Sequence, residues 1–578
     1  MPGQDICVKI SGEAGQGINI AAQALAKAFT RKGLYVFLLT DNPNSIKLEP
    51  AWCSLRISEE RILSQSHEVD ILVVLNRDSL LRRQQEVNIG GFILYDQEAV
   101  KLEDKDKRAE AGYISIPFDR LLKELNAPPL LRNTVAIGAV LGLIDYDIKV
   151  MEAMLEEQFS RKGEQVVRQN NGALNAGFSY LKENFKPGFN KKLKANTPAG
   201  RMFLTGNEAF CCGALKAGCK FIAAYPMTPS SAILHYLAAK EQGYGIVVKQ
   251  AEDEIAGMNM AVGAGFAGAR AMTCTSGGGF ALMSEALGMA AQSETPVVAV
   301  MGQRPGPSTG QPTHTSQADL RFVIHASQGE FPRIVIAPGD AEECFREGFN
   351  AFNLAEKFQL PVIVLTDKYL VESYSSWEGF SLAGLNIERG KLLNQAELDK
   401  VSDYKRYAFS EDGISPRALP GMKGGIHVAT SYEHDEYGFY QEDPAGVVKA
   451  ADKRFAKLKL IEAALPQPKI YGPDDAEITL IAWGSSKGPV LEAMKMLAQA
   501  KKRVNFLHLV YIWPFPGEAV RQAIQKAKVT LGIEGNKSGQ MFGLIREHTG
   551  TKLTHSLLKY DGQPFYPIDI YNKVKELF

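Results

Sequence analysis

Residues 245–285 read GIVVKQAEDEIAGMNMAVGAGFAGARAMTCTSGGGFALMSE, and the order of runs within them decides the fold class. A short β-branched run, GIVVK, precedes a long run rich in Ala, Gly and Met; a second apolar run, RAMTC, then precedes another helix-length stretch, FALMSEALGMAA. Strand-sized runs alternating with helix-sized ones are the rhythm of a parallel sheet covered by helices. The rhythm continues on both sides, with strands expected at KFIAA (220–224), VVAVMG (297–302), RIVIAP (333–338) and LPVIVLTD (360–367). One α/β domain is expected over residues 201–373.

At 578 residues the chain exceeds what one hydrophobic core supports. Residues 1–190 repeat the alternation, with ICVKIS, a helix from Ile18 to about Lys32, YVFLL, VDILVVLN and GGFILYD. The Pro-, Gly-, Asn- and Lys-rich stretch 186–200 reads as a linker. Residues 374–472 mix Gly, Pro, Tyr and charge irregularly, as a segment wrapped over a neighbour would, and a third α/β unit spans 473–578 from EITLIAWG onward. The fold expected is α/β with three doubly wound domains. Lys+Arg and Asp+Glu balance at 65 each, so no global field attracts nucleic acid or an anionic membrane. The apolar runs are strand-sized, and a soluble cytoplasmic protein is expected. Seven scattered cysteines without any C-x-x-C argue for reduced thiols rather than disulfides, zinc or an iron–sulfur cluster. Cys211, Cys212 and Cys219 are expected to pack in a core.

In an open α/β sheet, ligands bind at the carboxyl ends of the strands. After KFIAA comes Tyr225-Pro226-Met227-Thr228-Pro229-Ser230-Ser231, where Thr228 reads as an N-cap with Pro229 at the first helical position. Free amides and hydroxyls at a helix start suit a carboxylate such as that of a 2-oxoacid, although Thr-Pro also starts helices that bind nothing. After GIVVK come Glu252, Asp253 and Glu254. Acidic residues in a first turn complement the helix dipole. Glu254, followed by Ile255, Ala256, Gly257 and Met258, is expected in apolar surroundings, where a carboxyl group can share a proton with a ring nitrogen. Capping and catalysis are both open for it. After RAMTC, Thr275-Ser276-Gly277-Gly278-Gly279 reads as a loop permitting close backbone approach to a ligand, or a tight turn. No Gly-Lys-Ser/Thr is present, which excludes a nucleoside-triphosphate P-loop. After VVAVMG, Arg304 sits among turn residues ahead of Thr313, a fork and a hydroxyl suited to a carboxylate.

The succession YPMTPSS, QAEDEIAGMNMAVGA, MTCTSGGGFALMSE and RPGPSTGQPTHTSQADL resembles the pyrimidine-binding domain of the 2-oxoacid:ferredoxin oxidoreductase alpha subunit. Residues 477–578, with IAWGSSKGPVLEAM, YIWPFP and EGNKSGQ (534–540), are similar to the family's transketolase C-terminal domain. Residues 1–185, with SGEAGQGI (11–18) and LRNTVAIGAVLG (131–142), are similar to its gamma domain, fused ahead of alpha in two-subunit members and associated with closure over coenzyme A. The resemblance implies that Glu254 hydrogen-bonds the aminopyrimidine of thiamine diphosphate and favours its reactive tautomer. It also implies that Thr228, Arg304 and Thr313 face the oxoacid, and that Tyr225, Ser276 and Gly277 bind the cofactor. The implied reaction is oxidative decarboxylation of a 2-oxoacid to acyl-CoA and CO₂ with reduction of ferredoxin, reversible as reductive carboxylation. The fused arrangement favours 2-oxoglutarate, with pyruvate or broad specificity as the alternative. The family's usual Tyr-Pro-Ile-Thr-Pro has Met227 here, a volume-conserving change that the loop should survive. Where relatives often carry Arg-Gly-Gly, this chain has Ile46, Lys47, Leu48 and Glu49, so no coenzyme A contact is expected from that loop.

Thiamine enzymes hold the diphosphate through Mg²⁺ on a Gly-Asp-Gly…Asn segment. This chain has Gly339-Asp340-Ala341, read as an ordinary turn, with Thr366-Asp367 where the asparagine should fall. A beta subunit carrying Mg²⁺, the diphosphate site and a 4Fe-4S cluster is therefore the implied partner, in an α2β2 assembly. Two rival readings are a non-redox thiamine decarboxylase or transferase subunit and a nucleotide-binding regulatory subunit. The latter would use Gly12, Gly15 and Gly17 with Asp41 after the second strand, in G-x-x-G-x-G rather than dinucleotide spacing.

Overall fold

The computed structural model describes residues 5–13, 15–41, 50–186, 188–194 and 200–578. Residues 46–49, where the departure from the Arg-Gly-Gly stretch falls, lie outside the described residues. The chain forms two compact units, Met1–Leu204 with Ser373–Phe380 and Tyr566–Ile568, and Thr205–Glu372 with Ser381–Phe565 and Asp569–Phe578.

The first unit is built on an eight-stranded sheet in the order Gly112–Ser115, Val87–Tyr95, Val69–Val74, Asp5–Gly12, Ala51–Ser58, Tyr35–Asp41, Tyr374–Trp377 and Met202–Thr205. The first four strands are parallel, as their alternation with helices predicts. Ala51–Ser58 departs from the expected parallel sheet: it runs antiparallel to both Asp5–Gly12 and Tyr35–Asp41. It also removes the dinucleotide reading. A dinucleotide-binding fold places its first two strands side by side, with the acidic residue beside the glycine turn, whereas here a whole strand separates Asp41 from that turn. The LRNTVAIGAVLG run forms the buried helix Arg132–Leu143, packed against Glu164–Asn184. A Cβ on Gly138 would lie 2.0 Å from the Leu174 carbonyl oxygen, and one on Gly177 2.0 Å from that of Val135. The two glycines let the helix backbones touch.

In the second unit a seven-stranded sheet runs Tyr511–Trp513, Ile334–Ile336, Pro361–Asp367, Val297–Gln303, Ala271–Ser276, Phe221–Ala224 and Val247–Gln250. All are parallel except the first, an edge strand supplied by the C-terminal part of the chain through the pairs Val335–Trp513 and Ile336–Tyr511. A five-stranded sheet, Lys469–Tyr471, Val504–Leu509, Ile478–Trp483, Val529–Glu534 and His555–Leu558, follows the same plan, parallel apart from Lys469–Tyr471. One apolar cluster spans both sheets, from Met258 and Val297 to Leu507 and Leu544.

Residues 374–472 are more regular than expected. Tyr374–Trp377 is a strand, and Pro444–Ala464 is a 21-residue helix capped by Asp443, whose carboxylate accepts from Gly446 N at 2.9 Å. This helix buries cations: Lys453 and Lys457 both bond Glu294, and Arg454 makes a two-armed bond to Glu433 at 2.8 and 2.6 Å. Glu294 is buried, and the two lysines with Arg406 hold its carboxyl well below the usual carboxylate range despite the burial.

A second buried polar joint lies in the same unit. Asp340 caps the helix Ala341–Phe358 by accepting from Glu343 N at 2.9 Å, so Gly339-Asp340-Ala341 is a helix start. Lys487 bridges Asp340 and Glu343. Further along the helix, Glu347 accepts from Tyr511 Oη and from Asn350 Nδ2 at 3.2 Å, and burial pushes its carboxyl up to about 7. The folded protein therefore keeps this proton at pH values where the unfolded chain has released it. The residue's contribution to stability is fully present below the ordinary value of 4.5 and is lost as pH rises toward 7. Glu347→Gln should consequently gain on the parent between pH 5 and pH 8, read as the difference in their unfolding midpoints in urea at the two pH values. A constant difference would mean that Glu347 is ionised when folded.

Candidate functional site

The four strand ends singled out in the sequence converge on one edge of the seven-stranded sheet. Glu254 opens the helix Glu254–Phe266, and Asp253 is its cap, accepting from Ala256 N at 2.8 Å. The dipole-complementing role thus belongs to Asp253, and Glu254 turns inward. It is buried, and its Oε1 has no hydrogen-bond partner among the described residues. An uncompensated buried carboxyl oxygen costs roughly 1–3 kcal/mol or more, so the site is built to be completed by something else.

The three glycines differ from the expected loop. The strand Ala271–Ser276 carries Thr275 and Ser276, and the helix Gly277–Leu282 begins directly at the first glycine. Close approach is still their role. A Cβ on Gly279 would sit 2.4 Å from Glu254 Oε1 and 2.0 Å from Thr275 Oγ1, and one on Gly277 would sit 3.0 Å from Asp319 Oδ2. The Ser276 hydroxyl is buried and, like Glu254 Oε1, has no partner among the described residues. Burial pushes the Asp319 carboxyl up to about 6.

The YPMTPSS turn also differs. Its helix is Ser231–Ala238 with Ser230, not Thr228, at the cap position and no side-chain cap bond. The amides of Ser230 and Ser231 donate to Met227 O at 2.9 and 3.0 Å, closing a turn before the helix. Those two amides are therefore engaged within the turn and not free for an anion. Cationic character comes instead from Arg304, whose Nη1 donates to Thr228 O at 2.9 Å, joining the two loops. Burial lowers the Arg304 pKa from its ordinary value. Thr313 shares a hydrogen bond with His314 Nδ1 at 3.1 Å. Tyr225 is exposed at the start of its turn.

The chain matches three family models in succession: pyruvate ferredoxin/flavodoxin oxidoreductase over residues 7–180, the thiamine-diphosphate-binding domain of pyruvate flavodoxin/ferredoxin oxidoreductase over 212–453, and core domain II of pyruvate:ferredoxin oxidoreductase over 476–570. It is 33% identical to 2-oxoacid:ferredoxin oxidoreductase 2, subunit alpha, of Aeropyrum pernix, over 99% of this chain and 98% of that one. The chain belongs to the 2-oxoacid:ferredoxin oxidoreductase alpha subunits. A 2-oxoglutarate synthase subunit KorA of Methanothermobacter marburgensis is 33% identical over 64% of this chain and 98% of its own. Among solved structures, a 2-oxoglutarate:ferredoxin oxidoreductase from Magnetococcus marinus, with 2-oxoglutarate, coenzyme A and succinyl-CoA bound, superposes with a TM-score of 0.93 at 33% identity, covering 99% of both chains.

In this alpha subunit, sequence reasoning missed the side chains that hold the strand-end loops in place. Ser230 Oγ donates to Thr275 O at 2.7 Å, tying the first turn to the third strand. Gln303 Nε2 donates to Thr366 O at 3.1 Å while its Oε1 accepts from Asp319 N at 3.1 Å. Gln317 Nε2 donates to Trp483 O at 3.0 Å, and its Oε1 accepts from Gly535 N at 2.8 Å, fastening the segment that follows Thr313 to the C-terminal sheet. A lone Ser or Gln beside a motif carries no signal of this kind, because its partners are distant backbone groups.

Proposed function

We propose that this alpha subunit oxidatively decarboxylates 2-oxoglutarate to its acyl-CoA, with coenzyme A as co-substrate and ferredoxin as acceptor, and that the same groups serve the reverse carboxylation. The preference for 2-oxoglutarate over pyruvate is supported by the KorA relative and by the Magnetococcus marinus enzyme. In this reading a beta subunit holds Mg²⁺, the diphosphate end and the 4Fe-4S cluster, in an α2β2 assembly.

The observation that carries the reading is the buried Glu254 Oε1, without a partner among the described residues and lying where a Cβ on Gly279 would clash with it. Those residues fit an aminopyrimidine: Glu254 would accept from or donate to a ring nitrogen, and Tyr225, Ser276 and Gly277 would help to hold the ring. When bound, thiamine diphosphate supplies the electron sink that lets the oxoacid lose CO₂. Glu254 holds or releases the proton at the ring nitrogen, while Arg304, Thr228 and Thr313 orient the carboxylate of the oxoacid. Ile255 and Leu282, exposed apolar side chains on the helices that open at Glu254 and Gly277, fit a surface covered by the partner.

The test is purification with the partner subunit, then screening of 2-oxoacids for coenzyme-A-dependent reduction of a low-potential dye. 2-Oxoglutarate should give the highest kcat/KM; turnover independent of coenzyme A, or an enzyme without iron, would favour the non-redox decarboxylase. Arg304→Ala should raise the KM for the oxoacid about 10- to 150-fold, the effect of losing a charged hydrogen bond of roughly 1.5–3 kcal/mol. An unchanged KM would place the carboxylate elsewhere.

A further inference from the structure

We infer that Gly279 and Thr275 are positioning residues for Glu254, which set from the strand end how its carboxyl meets the ring nitrogen. The inference deepens the reading of Glu254 as the cofactor-facing glutamate and rests on it. Its basis is one point in space: the position a Gly279 Cβ would occupy has Thr275 Oγ1 at 2.0 Å, Glu254 Oε1 at 2.4 Å and Glu254 Cγ at 2.7 Å as its nearest atoms. Contacts under 3.0 Å force something to move. Here the atoms in the way belong to buried side chains with little room to give, since Glu254 is 3% and Thr275 0% exposed.

Gly279 therefore keeps a gap that only a missing side chain can keep, and the carboxyl group fills it. The Thr275 hydroxyl borders the same gap. Its own hydrogen bonds are weak, to Met227 Sδ at 3.9 Å and to Ser276 O at 3.5 Å. A hydroxyl with loose partners can turn toward a carboxyl beside it and steady one of its protonation states. It also leans on Met227, next to Thr228, so the cofactor end and the oxoacid end of the site meet on one side chain. Asp253, on the same helix, is engaged as the cap, and the Asp319 carboxyl lies against Gly277, so Thr275 is the polar side chain that shares the Gly279 gap with Glu254.

The experiment uses the complex purified with its partner subunit and loaded with thiamine diphosphate. Circular dichroism of the bound aminopyrimidine is followed as a function of pH, alongside kcat and KM. Thr275→Val, which keeps the shape and removes the hydroxyl, should move the pH at which the tautomer signals interchange by about half a unit to one unit; Thr275→Ser should restore it. Gly279→Ala should lower kcat at least tenfold with little change in oxoacid KM, and the intact Thr275→Val and Thr275→Ser pair decides the matter if Gly279→Ala does not fold. Glu254→Gln serves as the control. If it abolishes the pH-dependent signal while Thr275→Val matches the parent, the positioning role is overturned and the glutamate reading stands. If Glu254→Gln leaves the signal unchanged, both fall.

Discussion

Glu254→Ala, in the complex with the partner subunit, is expected to lower kcat by a factor of about 10²–10⁴, the range for removing a general acid–base group, with oxoacid KM changed only a few-fold. The split follows from geometry. Glu254 is buried at the start of its helix, with no partner for its Oε1 among the described residues, whereas Arg304, the cation proposed for the substrate carboxylate, is anchored on a separate loop through Thr228 O. A group that acts only on the cofactor lowers kcat and kcat/KM together and leaves uniform binding intact. Removing a buried carboxyl whose Oε1 lacks a hydrogen bond also relieves a desolvation cost, so the variant should be at least as stable as the parent. Steady-state kinetics with a thermal melt checks both statements, and a large rise in KM with normal kcat would reassign Glu254 to substrate binding.

Glu294→Ala should be strongly destabilising, costing roughly 3–5 kcal/mol, because it strands Lys453 and Lys457 without their shared anion. The residue sits far in sequence from the helix it holds, and the loss should appear as a lower melting temperature and faster proteolysis of the segment around Pro444–Ala464. The pH sign is fixed by the direction of the shift. A carboxyl held below its ordinary value contributes stability that is present at neutral pH and lost as pH falls toward its folded value. The gap between parent and variant should therefore narrow in strong acid. A gap that widened in acid would show that the lysines, and not the carboxylate, dominate the cluster.

That cluster also explains what the sequence concealed. Sheets and helices with apolar buried faces were legible, as in the strands Val297–Gln303 and Pro361–Asp367. Pro444–Ala464 was not, because Lys453, Arg454 and Lys457 are buried alongside only Ala450 and Ile461, and its apolar periodicity is correspondingly weak. Ala51–Ser58 was missed for a different reason: Arg56 and two serines interrupt the run, and its partners flank it on both sides in an order that no local pattern encodes. At the site, residue types at strand ends pointed to Glu254, Arg304 and the glycines. The helix start was misplaced at Thr228 because Thr-Pro is a general N-terminal signal, while the competing turn onto Met227 O depends on backbone geometry.

The pairing of Tyr511–Trp513 onto Ile334–Ile336 has a consequence during synthesis. The strand Ile334–Ile336 is wholly apolar and bordered on one side by Pro361–Asp367, so until Tyr511–Trp513 emerges its other edge has no partner. At about 5–20 residues per second, the intervening chain takes on the order of ten to thirty seconds to leave the ribosome. An uncovered apolar edge is a template for pairing with a foreign strand. The nascent chain thus passes through an interval with this edge unpaired, and fragments ending before residue 511 should be recovered as aggregates even though their own sheet strands are complete.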